Sequence, residues 1–311
     1  MTRSGSIDFN QTRNEIIESA LRKIGALAEG ETPTAQQVTN ASQELNRLVK
    51  TWITKGHHLW ALDELVIFPV VGQIIYKIGK DNNIANADNV VTTRVTSDVV
   101  SGSDVLILDS VEGLVIGDRV VVHQDNNSNH FSDIVSINDN EVVLSDVVTS
   151  NITAGNSFDA FNEIADRPLK VEYARCLTSL DSEIEMHALG RQEYFRLSDK
   201  ASKGTPVSYY FQPKLDHGEF RVWSTASNAK QQINITVQRN IEDFDTAANT
   251  PDFPHEWLQA LVWNLAKGIG VEYGVDQFTA QQIAIQAEMS LNDVNNWDND
   301  NVGLCLTPDF S

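Results

Sequence analysis

The apolar side chains of this chain follow two incompatible periods, and that division restricts the fold more than any single motif does. Towards both ends they recur every three or four residues, as one face of a helix requires. Through the middle they come in short runs parted by Gly, Asn, Asp and Ser, as strands and tight turns require. An α+β architecture follows, with a helical bundle drawn from both ends of the chain.

Near the start, Thr12 stands three residues before Glu15, and Ile17, Ala20, Leu21 and Ile24 follow at helical spacing before Gly25. This pattern is a capping box ahead of an amphipathic helix. A second helix should open at Thr32 or Thr34, with Pro33 in its first turn, and run along Val38, Ala41, Leu45, Leu48, Val49 and Trp52 to Gly56. Together the two make a helical hairpin. Towards the other end, Pro254 suits a first turn, and Leu258, Leu261, Val262, Leu265 and Ile269 trace a face that ends near Gly270 or Gly274. Thr279, with Gln282 three residues on, is expected to open a last helix whose stripe is Ile283, Ala287, Leu291 and Val294.

Between these helices, Leu65, Ile67 and Phe68 and then Ile74, Tyr76 and Ile78 read as two strands around a turn at Pro69 and Gly72. Residues 169–173 resume the β pattern, and 187–198 read as helical or irregular. Three strands at 207–211, 219–223 and 232–239, parted by turns at 216–218 and 226–229, form an antiparallel β-meander. Inside residues 81–163, Val/Ile runs at 105–108, 120–122, 134–137 and 142–144 alternate with turn residues, the spacing of a small β-sandwich or barrel.

Charge sets that last segment apart. It holds fourteen acids against two bases, Arg94 and Arg119, a net −12 out of the −20 of the whole chain. The expected organisation is a body of helices and β-meander at residues 1–80 and 164–297, an acidic all-β insertion at 81–163, and an extended tail at 298–311. With 43 acids against 23 bases, the charge argues against a surface built to neutralise the phosphates of a nucleic acid. Cys176 and Cys305 lie far apart and neither begins a C-x-x-C, which points to a reducing cytoplasm as the folding site. No signal-like core opens the sequence and no apolar run approaches the roughly 20 residues of a membrane helix, so a soluble protein without membrane contact is expected.

The chemistry-bearing motifs all fall short. His255-Glu256-Trp257-Leu258-Gln259 resembles a zinc-protease helix, but Gln259 stands where the second histidine belongs, so His255 and Glu256 read as first-turn residues. Asp125-Asn126-Asn127-Ser128-Asn129 begins like a calcium loop, yet His130 replaces the required glycine and Ser136 the final glutamate. A polar hairpin tip accounts for that run. His57 and His58 read as a helix C-cap, and tryptophans 52, 60, 223, 257, 263 and 297 as core. The sequence contains no G-x-S-x-G, no phosphate loop and no dinucleotide fingerprint. No catalytic, cofactor-binding or metal residue is therefore assigned, and no cofactor is expected.

The opening segment, Arg13-Asn14-Glu15-Ile16-Ile17 through Ala20-Leu21-Arg22-Lys23-Ile24-Gly25 to Leu45-Asn46-Arg47-Leu48-Val49-Lys50-Thr51-Trp52, resembles the N-terminus of podovirus head-to-tail adaptor proteins, also called tail tubular protein A or tail accessory factors. The later order is similar too: an extended stretch at 206–211, a return to Trp223, a third strand ending near Arg239, and Pro254-His255-Glu256-Trp257-Leu258-Gln259-Ala260-Leu261 opening a helix. Gly117-Asp118-Arg119-Val120-Val121-Val122, followed by Asp133-Ile134-Val135 and Glu141-Val142-Val143-Leu144, is similar to a β-module of phage tail proteins.

The resemblance implies a non-enzymatic virion protein made in the host cytoplasm. It implies a homododecameric ring between the portal protein and the tail nozzle, with a tail fibre or spike as a further neighbour and DNA passing through the lumen unbound. It also implies a portal-docking role for the C-terminal tail, through Val302, Leu304, Leu306 and Phe310. The long acidic insertion departs from the family pattern. The rival expectation is a carbohydrate-binding or depolymerising tail component, which requires two carboxylates about 5 to 10 Å apart in a cleft. A third is a cytoplasmic assembly factor that never enters the particle.

Overall fold

The computed structural model describes residue 5 and residues 8–54, 59–80, 83–178 and 182–298. Among them are five α-helices: α1 (Arg13–Lys23), α2 (Ala35–Ile53), α3 (Arg191–Arg196), α4 (Leu258–Gly270) and α5 (Gln277–Trp297). The sheets are antiparallel apart from two short parallel ladders, so the fold is mixed α+β. Its contacts divide it into two compact units, residues 1–61 with 240–311, and residues 62–239.

The helical unit is set up by its caps. Thr12 is extended, its hydroxyl accepts from Glu15 N, and the Glu15 carboxylate accepts from Thr12 N at 2.7 Å, which completes the expected box. On α2 the same exchange joins Thr34 and Gln37. Pro33 therefore precedes the cap and lies outside the helix, not in its first turn. The hydroxyl that reaches the third N–H fixes where the helix begins. α4 packs against α1, α2 and α5. That placement explains why Leu258, Ala260, Leu261, Val262, Leu265, Ala266 and Ile269 are all buried, a band wider than a single stripe.

The start of α5 also differs from expectation. Asp276, not Thr279, is the N-cap: its Oδ1 accepts from Phe278 N and Thr279 N at 3.0 and 3.1 Å, and the Thr279 hydroxyl donates to its Oδ2. Both residue types can cap, and Asp276 takes the role because its carboxylate serves two backbone donors and one hydroxyl. Those donors, the Thr279 hydroxyl first, hold the carboxyl below its ordinary range. Stabilisation by this cap is complete above the unfolded value of about 3.9 and fades as pH falls through the lower folded value. Asp276→Ala is thus expected to lower the thermal midpoint of the helical unit at neutral pH, with the deficit shrinking as the solution is acidified. Circular dichroism melts at several pH values check this; a deficit independent of pH would assign the loss to something other than the charged cap.

In the second unit, one sheet runs Glu183–Glu185, Lys170–Leu177, Gln232–Gln238, Leu62–Ile67, Ile84–Asn86 in spatial order. Another runs His187–Ala188, Ser208–Pro213, Gly218–Trp223, Ile75–Ile78. Side chains of both share one core, among them Leu65, Ile67, Tyr76, Ile78, Phe220, Val222, Ile233 and Ile235. The strands on either side of Gly72 follow one another as expected but enter different sheets. The meander expectation is corrected in the same way. Ser208–Pro213 and Gly218–Trp223 do pair, around a turn closed by Lys214 N donating to His217 O, but Gln232–Gln238 pairs with Leu62–Ile67 and Lys170–Leu177. Alternating Ile233, Ile235 and Val237 fix which face is buried, and long-range partners decide the neighbours. Residues 187–198, expected to be helical or irregular, divide into the strand His187–Ala188 and α3.

Residues 81–163 supply a six-stranded antiparallel sheet in the order Val91–Arg94, Ser157–Phe161, Arg119–Gln124, Ser128–Asn138, Glu141–Leu144, Val105–Ile107. A bridge between Val95 and Leu108 draws its two edges together, which gives a half-barrel around Leu106, Val120, Val122, Val142, Ile152 and Phe158. The insertion is attached to the rest of the unit by a second small core in which Phe68 stacks on Phe161, their centroids 6.1 Å apart.

Candidate functional site

α5 presents two apolar stripes. One is Ile283, Ala287 and Val294, buried as the periodicity requires, with the Asn264 amide of α4 donating to Ala287 O at 3.0 Å. The other is exposed. Phe278, Ile285 and Met289 are spaced seven and four residues apart on one face and are 70%, 49% and 55% exposed, with Trp297 near the end of the helix at 58%. Only Glu288 and Asp293 are charged on this helix, and neither is basic. Leu291, expected in the buried stripe, is only half-buried, and the exposed stripe of Phe278, Ile285 and Met289 shows the same period.

A second feature lies on the five-stranded sheet, where Glu64, Tyr173, Arg175, Glu183, Glu185 and Thr236 surround a depression of about 390 Å³. Arg175 donates to Glu64 Oε2 at 2.8 Å and stands 3.8 Å from Glu183 Oε2, and Glu64 Oε1 accepts from the Thr236 hydroxyl. Glycoside hydrolysis places a sugar between one proton-donating carboxyl and another carboxylate. Here a guanidinium stands between Glu64 and Glu183.

The motif residues sit as follows. His255 and Glu256 share a single turn ahead of α4, with His255 Nε2 3.3 Å from Glu256 Oε1. The run from Asp125 is a hairpin tip. Asp125 accepts from Thr153 N and Oγ1 and from the Asn156 amide, and the Thr153 backbone N–H leads in holding its carboxyl below the usual range. Asn127, at φ 63°, donates to Ser227 O and accepts from Ala229 N, and Asn129 donates to Pro69 O and Ala229 O. These asparagines fasten the insertion to its unit, a role that only the distant carbonyls reveal.

Cys176 is buried, and burial pushes its thiol up to about 11, so it is a packing group. Trp257 and Trp52 are buried, in keeping with core packing as the default for most of the tryptophans, and Trp297 is exposed. His57, His58, Cys305 and the proposed docking residues Val302, Leu304, Leu306 and Phe310 lie outside the described residues. Among the described residues no helix is long and apolar enough to cross a membrane.

No family model matches the chain, and no curated protein matches it. Among solved structures it is similar to the Gp54 tailspike of Acinetobacter baumannii bacteriophage AP22, determined in complex with A. baumannii capsular saccharide. That similarity has 16% identity and a TM-score of 0.22 over 25% of this chain, and it spans 16% of the tailspike.

Proposed function

We propose that this chain is a non-enzymatic structural component of a bacteriophage virion, an adaptor whose copies form a ring between portal and tail nozzle and leave a passage for DNA. The observation that carries the reading is the exposed apolar face of α5. A contiguous set of large apolar side chains on a helix favours burial against another protein surface. The reading is further supported by the resemblance of the segment 13–52, which forms α1 and α2, to the N-terminus of head-to-tail adaptors.

In this reading α1, α2, α4 and α5 act as the adaptor's helical bundle, the half-barrel of residues 81–163 is peripheral, and the segment after Asp298 reaches the portal. An acidic lumen suits a duct through which DNA slides, because each phosphate neutralised by Lys or Arg would add grip. A dodecamer is the count that the family resemblance implies. Native mass spectrometry of the full chain, alone and with portal rings, tests the proposal. A ring mass, or a ring formed on portal, is expected. A monomer that ignores portal and cleaves capsular polysaccharide would replace this reading with the depolymerase.

A further inference from the structure

The second unit contains a recess of about 250 Å³ whose wall includes Arg94, His123, Asn156, Ser157, Thr178 and Lys230. Arg94 ends the strand Val91–Arg94, where it is paired with Ser157, and Lys230 lies in the turn before the strand Gln232–Gln238. Arg119 is bound to Asp133, Arg175 to Glu64, Arg221 to Glu219 and Lys80 to Asp216. Neither the Arg94 guanidinium nor the Lys230 ammonium has a hydrogen-bond or ion-pair partner among the described residues, although the chain has 43 acids to 23 bases.

Among the described residues, the groups around them do not supply a counter-anion. Asp125, the acid beside His123, is already engaged by Thr153 and Asn156. His123 is buried, and burial first and the Lys230 charge among the lesser causes lower its pKa, so at neutral pH it is an uncharged ring. Asn129 uses its amide nitrogen on Pro69 O and Ala229 O, which leaves its oxygen to accept from His123 Nδ1 at 3.3 Å. The recess is thus a polar hollow with a neutral floor and two uncompensated cations at its wall.

We infer that this recess binds a small oxyanion, a phosphate or a carboxylate, between Arg94 and Lys230. A planar guanidinium and a mobile ammonium are the pair that recognises such groups, through charge-assisted hydrogen bonds. The volume falls below the roughly 300 to 1,000 Å³ of pockets that hold drug-sized molecules, which suits a small anion. The inference is independent of the virion reading, because it concerns residues that reading does not use.

Calorimetric titration of the full chain with inorganic phosphate and with citrate, at constant ionic strength held by chloride, tests it. Saturable binding of at least one anion is expected. In Arg94→Ala with Lys230→Ala the affinity should fall by more than about tenfold, since two charge-assisted contacts are removed and each is worth at least that factor. Lys77→Ala with Lys267→Ala, which removes the same charge from exposed positions elsewhere, should leave the affinity unchanged. Matching circular dichroism melts confirm that both double variants fold. Absence of saturation by either anion, or an equal loss in both double variants, overturns the inference. Preference for phosphate over citrate, or the reverse, identifies which oxyanion the recess takes.

Discussion

Trp257→Ala is expected to destabilise the helical unit by about 3–5 kcal/mol, the range for deleting a fully buried large aromatic side chain. Trp257 is 0% exposed and stands at the junction where Pro254 hands the chain to α4. Its ring centroid lies 5.7 Å from Trp52 on α2, 5.7 Å from Phe253 and 6.1 Å from Trp60, and Trp60 and Phe253 are themselves 4.9 Å apart. Removing the indole would take away lost transfer energy and leave a cavity lined by three rings that cannot collapse together, because each belongs to a different segment. Against a typical domain stability of about 5–15 kcal/mol, such a loss is large. Denaturant unfolding monitored by far-UV circular dichroism measures it, and Trp297→Ala is the control, since an exposed tryptophan should change stability by no more than about 0.5 kcal/mol. If the two variants unfold at the same midpoint, the aromatic cluster is not what closes this unit.

The helical unit was the part most legible in the sequence, and the reason is local. Thr12 with Glu15 and Thr34 with Gln37 satisfy backbone donors within three residues, so the signal and the structure occupy the same short window. Leu258, Leu261, Val262, Leu265 and Ile269 face the core for an equally local reason, the helical period. Strand partners were not legible, because alternation selects a face and says nothing about the neighbour. Gln232–Gln238 sits between strands that begin at Leu62 and Lys170, and Ile75–Ile78 leaves the strand it follows for a different sheet. The same limit hid the candidate sites. Arg94 and Lys230 meet only because the half-barrel and the sheet strand bring them to one recess. On α5, two apolar stripes share one period, and sequence alone does not say which of them faces the core.

That second stripe leads to the other large effect. In the proposed ring, Ile285→Glu combined with Met289→Glu is expected to weaken the contact between copies by about 100-fold or more while leaving the fold intact. Both side chains are about half exposed in the single chain, at 49% and 55%, so their replacement removes little from the internal core. At a contact between copies the same changes strip apolar area worth about 25 cal/mol per Å² and place two carboxylates where nothing basic on α5 can meet them. A combined loss of about 3 kcal/mol corresponds to more than 100-fold in the association constant. Each copy also brings a net −20, so long-range repulsion already opposes assembly. Raising the salt concentration screens that repulsion, so it should strengthen association of the unaltered chain, and it should rescue the double variant only in part, because screening does not restore the apolar contact. Sedimentation velocity across a salt series separates the two terms. A variant that assembles like the unaltered chain would move the subunit contact off α5, and association that weakens with salt would show that ion pairs, not the apolar face, hold the copies together.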